Sequence, residues 1–293
     1  MIRQLFGIRS LRQPNASYGF GLPRFISWFN TNTIRYRCAR CLLLLLSFFC
    51  TALTAQEPSS PTPPPNLIFR HIIPVQTETL GMVDSIHQDA QGFMWFGGDN
   101  GLARYDGYNL KIYRHHENNP RSLSSNTVHH LLRTRSGQLW IATSAGLNRY
   151  NPTTDDFSRY NVASEAGDSN DIRDMLEDRQ GRLWLASTSG FYHFNPEEQT
   201  TQAIRDPNLP EDTQIERMAW AIAEDQQGLL WIGYNARGVT RFDPDNNRFH
   251  HYRHNPEAAP DDDSGLTHNS ARELFVDSHN RLWVGTLGGG LHR

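Results

Sequence analysis

The sequence predicts an all-β fold made of repeated, four-stranded antiparallel units. The first observation is a strand of the type Leu-Trp-Ile, whose tryptophan returns after 45, 44, 47 and 52 residues. The second is a glycine that follows each tryptophan by six or seven residues. These tryptophans are Trp95, Trp140, Trp184, Trp231 and Trp283. A period of about 45 residues with short strands and glycine punctuation is typical of a β-propeller, here with five blades.

Each repeat divides into four strand-like pieces. The first opens with a small or branched apolar residue, the second carries the tryptophan, the third follows the glycine, and the fourth is short and often aromatic. We expect the repeats near residues 83–113, 128–160, 172–204, 219–252 and 271–293. Because the tryptophans share one place in the repeat, we expect them to be buried at equivalent positions between sheets.

The turns between these pieces have a consistent chemistry. Asp-x-x-Gly sets precede the tryptophan strand, where the aspartate bonds the turn backbone and the glycine adopts a positive φ. They are Asp89/Gly92, Asp178/Gly181 and Asp225/Gly228, with Asn280 in place of the glycine in the last repeat. Asn-Pro or Asp-Pro pairs mark the turns between third and fourth strands, at Asn151, Asn195 and Asp243.

The N-terminal region differs from the repeats. Residues 1–55 hold seven arginines and no aspartate or glutamate, and an apolar run at 41–50 fades into small residues. This pattern predicts a secretory signal peptide cleaved after Ala55, because the run is short for a membrane span of about 20 residues. Because the basic region is long, two alternatives remain open: translation starts at a later codon, or the leader is retained as a membrane anchor. A proline-rich linker at 56–66 then leads to the repeats at 67–293, which start with a lone strand, Leu67–Ile73.

Composition excludes several classes of function. The three cysteines all lie in the first 50 residues, so the repeats have no cysteine for a disulfide, a zinc site or a nucleophile. Residues 56–293 hold 21 basic and 31 acidic residues, a net charge of −10, and the only lysine is Lys111. The repeats therefore lack the basic surface expected for nucleic acid or for an acidic membrane.

Few residues suggest catalysis or metal binding. The adjacent histidine pairs, such as His129/His130, are not expected to chelate one metal, because neighbouring strand residues point to opposite faces, and we interpret them as solvated strand and loop residues. The aspartate runs 155–156 and 261–263 lack the alternating spacing of a calcium loop and are expected to be solvated. No nucleophile, zinc-protease or phosphate-loop motif occurs. We therefore predict no metal, no cofactor and no catalytic residue.

The repeat Gly-x-Leu-Trp-Ile-Gly/Ala-Thr-x-x-Gly-Leu-x-Arg-Tyr resembles the two-component regulator propeller repeat. The resemblance covers residues 67–293 and implies the periplasmic ligand-sensing region of a bacterial hybrid histidine kinase or diguanylate cyclase. Full-length relatives are anchored in the inner membrane. The resemblance therefore implies that this chain contacts a membrane only through the leader or through a missing C-terminal span. It also leaves open whether the full receptor forms a homodimer. Two departures, at Phe191–Phe194 and at Tyr234-Asn235, predict less regular blades.

The resemblance also raises the question of whether the blades close into a complete ring. The lone strand Leu67–Ile73 has the composition of a fourth strand, which the last repeat lacks, so it would suit the outer edge of a closed five-bladed ring. The family typically has seven blades. We favour a part of a larger ring, truncated before its signalling domain, with a stand-alone exported scaffold or a glycan-active lyase or hydrolase as the alternative.

The expected ligand face follows from blade geometry. The short turns described above share one face of the disc, whereas the second-to-third loops and the variable segments between blades share the other. Variable loops on a rigid scaffold are where binding usually occurs. We therefore expect a small molecule or oligosaccharide on that face, with Asp99, Asn100, Ser144, Ser189, Asn235 and Arg237 as candidate ligand residues. Trp220, which lies outside the period, is the best candidate for a sugar-stacking platform.

Overall fold

The computed structural model describes residues 80–162, 168–209, 217–255, 257 and 265–293. This part of the chain forms 19 β-strands in five antiparallel sheets, which confirms the predicted all-β propeller architecture. The predicted leader, the linker, the lone strand Leu67–Ile73 and the aspartate run 261–263 lie outside the described residues.

The five sheets are blades of consecutive strands. Blade one comprises β1 (Val83–Gln88), β2 (Met94–Gly98), β3 (Gly101–Tyr105) and β4 (Leu110–Tyr113). Blade two comprises β5 (Val128–Arg133), β6 (Leu139–Thr143), β7 (Gly146–Asn151) and β8 (Asp156–Tyr160). Blade three comprises β9 (Ile172–Glu177), β10 (Leu183–Ser187), β11 (Gly190–Asn195) and β12 (Thr200–Ala203). Blade four comprises β13 (Ala219–Glu224), β14 (Leu230–Tyr234), β15 (Val239–Asp243) and β16 (Arg248–Tyr252). Blade five comprises β17 (Ala271–Val276), β18 (Leu282–Thr286) and β19 (Gly290–His292).

Within each blade the strands pair in chain order, and the first strands of successive blades contact one another. The first strand is therefore the innermost. Blades three and four are complete four-stranded sheets with continuous pairing between β10 and β11 and between β15 and β16. The prediction that these two blades are less regular was wrong, because the departing residues Phe191 and Tyr192 are buried core residues of their blade.

The first four repeat tryptophans pack against the blade that follows each of them. Trp95 lies in one apolar cluster with Leu131 and Ile141 of blade two, and Trp184 lies in another with Ile232 of blade four. Trp95, Trp140 and Trp184 are only 0%, 1% and 3% exposed.

The last two tryptophans are less covered. Trp231 packs against the three-stranded blade five, and Trp283 lies in blade five itself. Both are half-buried, so the expectation of five equally buried tryptophans was wrong for these two. The cause is packing, since a buried indole is covered by the neighbouring blade as well as by its own, as Trp95 is by Leu131 and Tyr113.

The Asp-x-x-Gly turns have the expected geometry and a second role. Asp89 Oδ1 accepts hydrogen bonds from the amides of Gln91 and Phe93, each 3.0 Å long, and Gly92 has a φ of 92°. Asp89 Oδ2 also accepts the indole N–H of Trp95 over 2.7 Å. The same aspartate-to-tryptophan bond recurs in three further repeats, from Trp184 to Asp178, Trp231 to Asp225 and Trp283 to Asp277. The turn thus fixes both its own backbone and the buried indole.

The outer faces of the first and last described blades are apolar and open. Ile86 of β1 is 59% exposed, and Phe275 of β17 is 62% exposed. In blade three the residue equivalent to Ile86 is Met175 and the one equivalent to Phe275 is Leu176, and both pack into clusters shared with a neighbouring blade. Whether the chain forms a closed five-bladed ring or part of a larger one stays a prediction.

Candidate functional site

The loops between second and third strands pack against the segments that lead into the first strands. The amide of Ser144 donates to the carbonyl of Thr127 over 3.1 Å, and the amide of Asn235 donates to that of Met218 over 2.9 Å. The equivalent bonds elsewhere run from Asp99 to Met82, Thr188 to Asp171 and Leu287 to Ser270. Both sets of connections therefore share one side, the loop face. It consists of residues 97–101, 143–146, 187–190, 234–238 and 286–290 with the segments between blades.

The six candidate ligand residues have different environments on this face. Asp99 and Asn100 are exposed, Ser144 and Asn235 are half-buried, and Ser189 and Arg237 are buried. Two of the hydroxyls hold the segments between blades. Ser144 Oγ lies 2.7 Å from Ser125 Oγ, and Ser189 Oγ accepts the amide of Ser169. These two serines therefore have a structural role whether or not a ligand binds.

A cavity of about 110 Å³ lies between blades three and four on the loop face and includes two of the candidates, Ser189 and Arg237. Its polar wall also contains His251, whose ring nitrogens lie 2.9 Å from Thr240 Oγ1 and 3.0 Å from Asp206 Oδ2. Burial, followed by repulsion from Arg253, lowers the pKa of the Arg237 guanidinium. The other four candidates are not among the described residues of this cavity wall.

A second group of polar residues lies nearer the axis. In every first strand the pairing with the second strand skips one residue, which is a β-bulge. The skipped residues are Asp84, His129, Arg173, Trp220 and Arg272. A bulge redirects the side chain of the extra residue. Four of the five, from blades two to five, meet in a chain of contacts.

We call His129, Asp171, Arg173, Trp220 and Arg272 the axial cluster. Asp171 lies 3.1 Å from His129 Nε2 and 2.6 Å from Arg173 Nη2. The guanidinium carbons of Arg173 and Arg272 lie 4.6 and 3.8 Å from the ring centroid of Trp220. A guanidinium therefore covers at least one face of the Trp220 ring. The expectation that Trp220 is an open platform for sugar stacking was wrong for that face.

Arg272 has neutral hydrogen-bond partners. Its Nη2 donates to Asn235 Oδ1 over 2.9 Å, and its Nε donates to Ser270 Oγ over 3.1 Å. Among the residues that the structure describes, no carboxylate contacts it. Burial, followed by the positive charge of Arg173, lowers the pKa of the Arg272 guanidinium. Among the predicted candidates, Asn235 contacts the axial cluster through Arg272.

A second layer of residues follows the bulges and joins the blades. Ser85 Oγ of blade one accepts the amide of Leu131 of blade two over 3.0 Å, and His130 Nδ1 of blade two lies 2.6 Å from Asp174 Oδ1 of blade three. Between blades three and four, Asp174 Oδ2 accepts a hydrogen bond of 2.7 Å from the amide of Ile222. These contacts hold successive innermost strands together.

The histidine pair 129–130 is therefore not solvated as expected. His129 contacts Asp171, and His130 Nδ1 lies 2.6 Å from Asp174 Oδ1. Burial opposes the charged form of His130, but the Asp174 carboxylate outweighs burial and raises its pKa. The expectation failed because Asp171 and Asp174, from the next blade and the segment leading into it, cover the two histidines, and the pair itself does not indicate such contacts.

The described ranges contain no group of three or more His, Cys, Asp or Glu side chains placed to hold a metal ion. In the same ranges, no helix has the length and apolar character needed to cross a lipid bilayer.

Comparison with known proteins identifies the repeats. The two-component regulator propeller family model matches residues 122–145, 166–189 and 265–288. A histidine kinase, P4, of Formosa agariphila is 27% identical over 92 residues, which are 30% of this chain and 6% of that protein. The extracellular domain of a putative hybrid two-component system from B. thetaiotaomicron superposes with a TM-score of 0.60. It is 21% identical and covers 71% of this chain and 26% of that one.

A virginiamycin B lyase from Staphylococcus aureus superposes with a TM-score of 0.51 at 12% identity, covering 73% of this chain and 70% of the lyase. At such identities these superpositions establish the fold alone. The fold is that of a β-propeller with charged and aromatic residues grouped on its loop face. More specifically, three stretches of the chain match the two-component regulator propeller family model, which agrees with the resemblance seen in the sequence. It spans about a quarter of the extracellular domain that it matches.

Proposed function

We propose that this chain is the ligand-sensing propeller module of a bacterial signal-transduction receptor and acts outside the cytoplasm. The observation that carries the proposal is the axial cluster. On a scaffold of two-component regulator propeller repeats, residues of four blades meet on the loop face, and they are charged or aromatic. A group of half-buried polar residues at one mouth of a rigid scaffold is typical of a ligand site.

The ligand is a small molecule, and we favour an oligosaccharide because hydroxyl and amide side chains surround the cluster. Ser270 and Asn235 contact Arg272, and Ser144, Ser187 and Ser189 lie in neighbouring loops. Coupling to a kinase or cyclase output belongs to the same proposal, supported by the likeness to a histidine kinase and to the extracellular domain of a hybrid two-component system.

Binding to the full chain tests the proposal. A panel of neutral and acidic oligosaccharides is titrated calorimetrically, first against the unchanged chain and then against variants of each face. Asn235→Ala and Arg237→Ala change the loop face, whereas Gln91→Ala changes an exposed turn on the other face. We expect saturable binding that weakens in the loop-face variants only. Binding lost in Gln91→Ala and kept in both others, or no binding across the panel, contradicts the proposal.

Export is tested separately. Expression of the chain in a bacterial host, followed by fractionation and N-terminal sequencing, should give a periplasmic protein that starts at Gln56. A product that keeps the leader and stays in the cytoplasm contradicts the proposed location.

A further inference from the structure

We propose that the axial cluster recognises the negatively charged group of an acidic oligosaccharide, and that Arg272 is the residue that pairs with it. The inference rests on the proposed ligand-sensing function and adds the chemical class of the ligand. The shared chemistry is an oxyanion on a sugar, and we favour a carboxylate over a sulfate ester.

The first argument is the charge balance of the cluster. Arg173 and Arg272 are both held at Trp220, so two like charges lie close together. Asp171 is the carboxylate of the cluster, and it contacts Arg173 and His129. Arg272 therefore keeps an uncompensated charge in a half-buried position, which is costly unless a counter-charge arrives.

The second argument is the orientation of Arg272. Its guanidinium carbon lies 3.8 Å from the Trp220 ring centroid, a stacked contact that limits rotation of the group. Two nitrogens, Nε and Nη2, are held by Ser270 and Asn235. The third, Nη1, is bonded to none of the described residues, and it is not among their buried unsatisfied atoms. Nη1 is therefore free to donate to a carboxylate oxygen, with the remaining hydrogen of Nη2 beside it.

The third argument is the contrast with the rest of the molecule. Residues 56–293 carry a net charge of −10, so an anionic ligand is repelled by most of the surface. A local positive site in such a field concentrates the anion at that site. The position of Asn235 fits this role, because it departs from the repeat consensus and its amide oxygen holds Arg272 in place.

The test uses three probes and the full chain. Trigalacturonate carries the carboxylates, its methyl ester keeps the shape without the charge, and a sulfated galactose trisaccharide carries sulfate esters. We expect trigalacturonate to bind roughly ten- to a hundredfold more tightly than the ester, as a charge-assisted hydrogen bond predicts. Its binding should weaken with added NaCl. If the sulfated sugar alone binds, the carboxylate assignment is wrong and the oxyanion site stands.

The variants assign the effect to Arg272. Arg272→Gln should weaken trigalacturonate binding by a similar factor and leave ester binding unchanged, and Arg272→Lys should restore part of the loss. Arg133→Gln is the matched control, because Arg133 is an exposed arginine at the opposite end of an innermost strand. Thermal melts of all three show whether the fold is kept.

Two outcomes overturn the inference. One is equal binding of acid and ester. The other is equal loss in Arg272→Gln and Arg133→Gln. If the ester binds as tightly as the acid and Asn235→Ala weakens both, the sensing function stands and the anionic class is wrong. If no oligosaccharide binds, the proposed function fails as well.

Discussion

The indole nitrogen of Trp184 donates to Asp178 Oδ2 over 2.9 Å, and the Asp178 side chain is fully buried. Asp178 Oδ1 accepts hydrogen bonds from the amides of Gln180 and Arg182, each 2.9 Å long. Burial alone would raise the pKa of Asp178, but the bond from the Trp184 indole, followed by those from the Arg182 guanidinium and the Arg182 amide, outweighs burial and lowers it. One carboxylate thus joins the turn of the blade to the tryptophan in its core.

Asp178→Ala should therefore be strongly destabilising. We expect a loss of about 1–3 kcal/mol in the free energy of unfolding for each buried donor left unpaired, measured by urea denaturation. Trp184→Phe removes the indole N–H and keeps an aromatic ring, so its loss should be smaller. Asp277→Ala is the control in a more exposed turn of the same design. A loss in Asp178→Ala no larger than in Asp277→Ala contradicts this account.

The tryptophans should differ in their contribution to stability. Trp184→Ala leaves a cavity under blade four, and we expect a loss of about 3–5 kcal/mol in the free energy of unfolding. Trp283→Ala should cost clearly less, because that indole is half-buried. Equal losses in chemical denaturation would show that the neighbouring blade is not what stabilises the indole.

The sequence predicted the strands well and the burial less well. The strand order, the turn chemistry and the place of the tryptophans follow from a period that local residues repeat five times. Burial of Trp231 and Trp283 depends on the blade beside each, which the repeat itself does not encode.

The axial cluster was missed for a similar reason. A bulge takes its residue out of the alternating pattern, so Arg173 and Arg272 look like ordinary polar strand residues. One signal was present. The residue after each strand opener is polar or aromatic in every repeat, and in blade four it is Trp220. The contacts between blades, such as Arg272 with Asn235, need the three-dimensional arrangement.

Asp155 should make stability depend on acid pH. The sequence suggested a solvated residue, but Asp155 contacts Lys111, Tyr113, Tyr150 and Arg104. Burial alone would raise its pKa, but the hydrogen bonds, with that of Lys111 the largest, lower it to about 2. Since the unfolded value is about 4, this contribution is complete above about pH 4 and is lost as the pH falls toward 2.

Asp155→Asn tests this dependence without disturbing the turn. Asp155 has a φ of 54°, a conformation that asparagine tolerates well. The variant should be less stable at neutral pH and lose less stability between pH 4 and pH 2, measured as the denaturation midpoint at each pH. An unchanged slope in the variant contradicts the assignment to Asp155.

The open apolar faces should cause self-association. Ile86 and Phe275 are exposed on the first and last described blades, where an unpaired sheet face favours contact with another chain. The double variant Ile86→Ser, Phe275→Ser should reduce the apparent mass in sedimentation experiments and keep the melting temperature. A monomeric, soluble unchanged chain with cooperative melting would show that these faces are not associating surfaces.

We expect no catalytic turnover from this chain. The sequence offers no nucleophile, metal or cofactor motif, and the likeness to virginiamycin B lyase is one of fold. Incubation of the full chain with glycans and with a streptogramin, followed by mass spectrometry of products, should detect no turnover. Activity abolished by a single substitution would overturn this expectation.

The packing of each indole under the next blade has a consequence during synthesis. The chain leaves the ribosome from its N-terminus, so Trp95 stays in contact with water until blade two has emerged and folded, and Trp184 until blade four has done so. When nascent chains of increasing length are compared, we expect the fluorescence emission of such a tryptophan to shift to the blue only after the following blade has been added to the chain. The indoles of Trp95, Trp140, Trp184 and Trp231 would thus report, one after another, the folding of the blade that follows each.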